Sequence, residues 1–168
     1  YQADGGTVAI DGNQVKIPDS QAAIDLGIGM VHQHFKLVTP FTVAANILLA
    51  NPQGAYGAGL RKTRALIAEQ SDTLGFALDP DARVDTLSVA EQQRAEIIKV
   101  LLGGARVIIL DEPTAVLVPQ EVEELFNNLR ELKRDGATII FIDHKLQEVL
   151  EIADRITVIR RGKTIDTV

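Results

Sequence analysis

Apolar and polar residues alternate through Gly6 to Lys16, GTVAIDGNQVK, on either side of Asp11-Gly12. An Asp-Gly pair between alternating runs predicts a β-hairpin. Ile17 to Leu26, with Pro18 and Asp19 at its start, predicts a short helix, and Gly27 to Val31 a brief buried strand. Residues 42–50 and 60–74 predict two helices, separated by the loose stretch NPQGAYGAG. From residue 88 the rhythm changes. Helix 89–102 leads to strand 106–110, helix 119–134 to strand 137–142, and a short helix after His144 to strand 155–160. Arg161-Gly162 closes a last hairpin, and Gly103-Gly104 and Asp135-Gly136 stand where two helices should stop. Strands alternating with helices imply parallel βαβ units. IIL and TIIFI are apolar without alternation, as in parallel strands buried on both faces. The fold class is therefore α/β, a sheet domain carrying a mostly helical insertion at roughly 42 to 100. There is no internal repeat and no low-complexity segment.

Composition narrows this picture. A chain of 168 residues fits one domain with a real core, and 46% hydrophobic with 24% charged residues excludes wholesale disorder. The absence of Cys removes disulfide frameworks and thiolate metal sites, and is compatible with cytosol. A net charge of −6 argues against a nucleic-acid surface, which needs clustered Lys and Arg. No apolar run approaches the roughly 20 residues that cross a bilayer, and no signal peptide opens the chain. The text begins at Tyr1, mid-phrase, and is expected to be a piece of something longer.

Candidate chemistry gathers at predicted strand ends, where open parallel sheets place their sites. Asp111 and Glu112 follow Val107-Ile108-Ile109-Leu110, and Pro113 stops the strand. One carboxylate there can hold Mg²⁺ through its water shell, and the next can polarise an attacking water. The plain alternative is an acidic turn. His144 ends the 137–142 strand, where its imidazole can donate to a phosphate oxygen, although a lone His is usually a surface or capping residue. Gln33, just past GIGMV, can present its amide to a metal or water. His32 and His34 read as structural or solvent-facing, and Arg61, Lys62 and Arg64 as a solvated face. Ser88 reads as the N-cap of helix 89–102; such helix starts also favour phosphate.

Gln33, LSVAEQQ, VIILDEP and His144, in this order and at these gaps, resemble the nucleotide-binding domain of ABC transporters: Q-loop, signature, Walker B and switch histidine. The resemblance covers essentially the whole chain. GIGMVHQHFKLVTPFTVAANI, LSVAEQQRAEIIK and LDEPTAVLVPQEVEEL look closest to the ATPase subunits of simple-sugar and nucleoside importers, which usually carry two such domains in tandem. It implies part of a P-loop NTPase sheet domain of the ABC type, in three pieces: 1–41 with hairpin, helix and Q-loop; a helical subdomain at 42–100 ending in the signature and its helix; and 101–168 with Walker B and switch His. By position, it also implies that Asp111 is the magnesium ligand, Glu112 the general base, and Gln33 a sensor of metal and water that couples the site to the membrane subunit. His144 would contact the γ-phosphate. Ser88, with the backbone at Val89 and Ala90, would contact ATP held by a second ATP-binding domain. Implied partners are that domain, transmembrane permease subunits and, indirectly, a substrate-binding protein. The implied location is the cytoplasmic face of the cell membrane.

Several positions depart from the pattern. Ala90 stands for the second signature glycine and Glu91 where Gln is common. AVLVP replaces an Asp-containing D-loop, and Val118 removes a Ser or Thr N-cap, at an expected cost of about 1 kcal/mol. No G-x-x-x-x-G-K-[ST] occurs; GAYGAGLRKT, Gly54 to Thr63, has the glycine spacing but Leu60 at the Lys position and reads as a flexible loop. The family's P-loop is expected upstream of Tyr1. Two other functions stay open. One is a non-hydrolytic interaction and folding module. The other is a DNA-repair or chromosome-maintenance ATPase, disfavoured by the acidic balance and by only 55 positions (88 − 33) between Gln33 and Ser88, without heptads.

Overall fold

The computed structural model describes residues 3–51 and 59–168. Strands β1 (Val8–Ile10) and β2 (Asn13–Val15) pair antiparallel across Asp11 and Gly12. Both turn residues take positive φ, 50° and 78°, as a two-residue turn of matching twist requires. Helix α1 (Ser20–Asp25) starts later than expected from Ile17, because the Asp19 carboxylate accepts from the Ala22 N–H and so fixes the N-cap.

The centre is a three-stranded parallel sheet in the order β3 (Ile28–Val31), β4 (Val107–Asp111), β5 (Thr138–Ile142). Its register sets two kinds of row. Gly29–Ile108–Ile139 and Val31–Leu110–Phe141 face the helices; Met30–Ile109–Ile140 and Asp111–Ile142 face the other way. Helices α2 (Val43–Ala50), α3 (Leu60–Leu74) and α4 (Val89–Leu102) pack on one another, and α4 also packs on β3. Helix α5 (Pro119–Arg134) turns Leu125, Phe126, Leu129 and Leu132 inward, and Phe126 meets Phe141 edge to face at 5.9 Å. Val31, Ile47, Ile67, Ile97, Ile98, Ile108, Leu110 and Phe126 belong to one continuous core. Helix α6 (Leu146–Ile152) and the antiparallel pair β6 (Thr157–Arg160) and β7 (Lys163–Thr167) complete the chain.

Four further expectations need correction. The Walker B-like strand runs one residue further than 106–110 predicts, so Asp111 is its last member, paired in register with Ile142. The β5 strand is not buried on both faces: Thr138, Ile140 and Ile142 are exposed, because among the described residues the helices cover only the other side. Strand 155–160 does not extend the parallel sheet; it shortens to β6 and pairs with β7 alone, the β6–β7 turn taking positive φ at Arg161 and Gly162. Of the near-miss loop Gly54 to Thr63, residues 54–58 lie outside the described residues, and Leu60 to Thr63 form the first turn of α3 rather than a loop.

Candidate functional site

The parallel register brings the C-terminal ends of β3, β4 and β5 side by side, and each delivers one polar group. Glu112 leaves β4 with φ 46°, a left-handed conformation uncommon for a residue with a β-carbon. Its N–H donates to the Ile142 carbonyl at 2.9 Å and its carbonyl accepts from the Ala115 N–H at 3.2 Å, so β5 on one side and the following turn on the other hold this conformation. Such a conformation costs on the order of 1–3 kcal/mol, and it persists where surrounding bonds impose it. The turn aims the Glu112 carboxylate between the other two strand ends. Gln33 Nε2 donates to Glu112 Oε2 at 2.7 Å. His144 Nδ1 stands 3.3 Å from Glu112 Oε1. Each carboxylate oxygen therefore has a partner from a different strand.

Asp111 sits half-buried beside this group, and no side chain hydrogen-bonds its carboxylate among the described residues. No cluster of three His, Cys, Asp or Glu side chains forms an all-protein metal cage among those residues. One free carboxylate is what Mg²⁺ uses when it keeps most of its water and shares phosphate oxygens. Gln33, donating through Nε2, keeps its amide oxygen for a metal or its water.

Ser88, Val89 and Ala90 stand apart at the start of α4. Ser88 Oγ accepts from the Glu91 N–H at 3.2 Å, and Glu91 Oε2 accepts from the Ser88 N–H at 2.8 Å. This capping box gives Glu91 a structural use: its carboxylate closes back on the chain. Val118, unlike Ser88, has no capping side chain, yet its N–H is taken by Glu121 Oε2 at 3.0 Å.

Sequence reasoning passed over the groups that hold these residues in place. Gln93 Nε2 donates to the Pro113 carbonyl at 2.8 Å, and Glu96 Oε1 accepts from the Lys36 N–H at 2.7 Å. Asp143 Oδ1 accepts from the N–H groups of His144 and Lys145, at 2.7 and 2.9 Å, and its Oδ2 from Thr114 Oγ1 at 3.0 Å. The available signal was polarity on apolar helix faces: Asn46 within VAANILLA and Glu96 within AEIIKVLL.

The ABC transporter family model matches residues 1–115. The chain belongs to the ABC transporter family. It is 48% identical over 164 residues to the nucleoside import ATP-binding protein NupA of Lactococcus lactis subsp. cremoris, covering 97% of this chain and 32% of that protein. It is 47% identical to the guanosine import ATP-binding protein NupO of Bacillus subtilis, covering 99% and 33%. With the ribose import ATP-binding protein RbsA 1 of Streptomyces avermitilis the identity is 44%, covering 100% and 32%. The chain thus spans about a third of the length of these relatives. A nucleotide-free ATP-binding cassette from an ABC transporter superposes with a TM-score of 0.85 at 22% identity, over 99% of this chain and 70% of that one. The cassette MJ0796 bound to ADP and Pi gives 0.79 at 22%, over 100% and 75%. The fold of this ABC transporter family member is that of an ATP-binding cassette, an α/β P-loop NTPase fold.

Proposed function

We propose that this chain is part of the ATP-binding and hydrolysing subunit of an ABC importer, energising uptake of a simple sugar or nucleoside. One observation carries the reading most directly: Glu112, behind Asp111 at the end of β4, is bracketed by Gln33 and His144 from the two adjacent strands. The importer names of the relatives, for nucleosides, guanosine and ribose, support the substrate class.

The family resemblance supplies the roles, and the geometry of Gln33, Asp111, Glu112 and His144 supports them. Asp111 would hold Mg²⁺ through its free carboxylate, and the Gln33 amide oxygen is available to the ion or its water; the chemistry supplied would be neutralisation of phosphate charge. Glu112 accepts a proton from the attacking water as the new P–O bond forms and the bond to the ADP oxygen breaks. Gln33 holds the Glu112 carboxylate in place, and His144 donates to the γ-phosphate. Ser88 and the N–H groups at Val89 and Ala90, at the positive end of α4, contact ATP held by a second ATP-binding domain. No helix among the described residues is long and apolar enough to cross a membrane. The importer reading places the chain at the cytoplasmic face of the membrane, bound to permease subunits that a substrate-binding protein supplies with solute.

The test is Glu112→Gln in the protein at its natural full length. Losing only the base should lower kcat by about 10²–10⁴-fold while ATP affinity is kept or tightened, since a carboxylate beside the phosphate is also removed. Turnover near the parental rate would remove Glu112 from the role of base. Absence of ATP binding in the full-length parent would favour the non-hydrolytic interaction module.

A further inference from the structure

Helix α4 reaches two loops at once. Gln93 and Glu96, three residues apart and so on one face of the helix, point at the segments on either side of Glu112. Gln93 holds the Pro113 carbonyl, and Glu96 holds the Lys36 N–H. The Glu96 side chain is only 2% exposed, and its second oxygen pairs with Lys99. A buried carboxylate is costly unless paired and hydrogen-bonded, and an apolar side chain would fit the surrounding core more simply. The geometry gives Glu96 one task beyond its own neutralisation: fixing the backbone at Lys36.

A second buried group holds the same segment. Asn46 on α2 accepts from the Val38 N–H at 2.6 Å and donates to the carbonyls of Val38 and Thr42, at 3.1 and 3.0 Å. Leu37, between the two points, packs on the core. Residues 36–38 are thus bonded to α4 and α2. Three residues upstream of Lys36, Gln33 reaches the other way, to Glu112. His34 and Phe35, between the two attachments, carry no hydrogen bond among the described residues.

We infer that Glu96, assisted by Asn46, is a positioning residue: it ties the Gln33 loop to the α2–α4 helices, so that displacement of α4 moves Gln33 relative to Glu112. Residues 34–35 are the short link that carries this displacement to Gln33. The kinetic consequence rests on the proposed role of Glu112; the mechanical tie does not.

The experiment pairs amide hydrogen exchange with steady-state hydrolysis, on the protein at its natural full length, exchange being read without nucleotide. Glu96→Ala should speed exchange across residues 36–38 by about 10-fold or more while α4 amides stay within about threefold. It should also lower kcat with KM for ATP held within about twofold. Glu96→Gln, which keeps an acceptor oxygen for the Lys36 N–H, should restore both. Should the alanine variant fail to fold, Glu96→Met with Lys99→Met removes the pair without leaving a buried charge, and the same exchange is read. Unchanged exchange at 36–38, or acceleration spread evenly over α2–α4, overturns the inference. Local acceleration in a protein that hydrolyses no ATP would uphold the tie and sink the proposed function instead.

Discussion

Thr114 is fully buried two residues beyond Glu112, and its one hydroxyl hydrogen faces two carboxylates, those of Asp143 and Glu148. It can donate to only one at a time. Lys145 Nζ offsets the surplus of acceptors, standing 3.2 Å from Thr114 Oγ1, 3.0 Å from the Thr114 carbonyl and 3.0 Å from Glu148 Oε1. This knot links the turn after Glu112 to the segment carrying His144. Thr114→Val, close in shape, removes the donor and strands the facing acceptors, so it should cost about 1–3 kcal/mol in urea unfolding. A change below the error of the titration would show that Lys145 satisfies the knot by itself. At this scale the sequence was informative about chemistry-bearing residues and silent about their supports. The placement of Asp111, Glu112, Gln33 and His144 at neighbouring strand ends was legible, because the strand pattern and motif order point there. The left-handed turn at Glu112 was not, because it is imposed by bonds to Ile142 and Ala115 that no local pattern encodes. Asp143 was only partly hidden: its bonds from the His144 and Lys145 N–H groups are local, but the one from Thr114 arises only once β4 and β5 lie side by side.

Among the elements, helices α3, α4 and α5 fall on the residues that their periodicity predicts, 60–74, 89–102 and 119–134. Each has a clear stop or start: Gly75 in the left-handed C-cap of α3 at φ 67°, Ser88 as the cap of α4, Pro119 opening α5. Strands were less legible. An apolar run such as TIIFI cannot reveal whether one or both of its faces are covered, because that depends on distant elements; Ile140 is 45% exposed despite its neighbours in the sheet. Gly29 shows how tightly the covered face is built. A β-carbon there would stand 2.2 Å from Val100 Cγ1 and 2.9 Å from Ala105 Cβ, closer than such atoms approach. The glycine lets α4 lie against β3, and that contact places Gln93 and Glu96 at their loops. Gly29→Ala should therefore destabilise by about 1–3 kcal/mol through overpacking. It should also weaken protection at residues 36–38, measured by amide exchange, because displaced α4 carries Glu96 with it. Loss of stability with full protection at those residues would mean that α4 adjusts without moving the Gln33 loop.

For the whole molecule, the question is what holds phosphate. The described residues supply a free carboxylate at Asp111, a bracketed carboxylate at Glu112, an amide at Gln33, an imidazole at His144 and a capped helix start at Ser88. A backbone cradle with a lysine, the usual source of affinity for β- and γ-phosphates, has no counterpart in the 168 residues: no G-x-x-x-x-G-K-[ST] is present. Glu91 further neutralises the positive end of α4 by closing its capping box. On the proposed function, residues that shape the reaction and residues that hold the nucleotide are thus separable by a binding measurement. Calorimetry of these 168 residues with Mg-ATP should give no resolvable heat below the millimolar range, roughly −4 kcal/mol of binding free energy. The full-length protein should bind far more tightly under the same conditions. Tight, magnesium-dependent binding by the 168 residues would instead require a phosphate site built from what is present. Glu112→Gln and Ser88→Ala in the same titration would then separate binding at the β4 end, where removing the Glu112 charge should tighten it, from binding at the start of α4, which loss of the Ser88 hydroxyl should weaken.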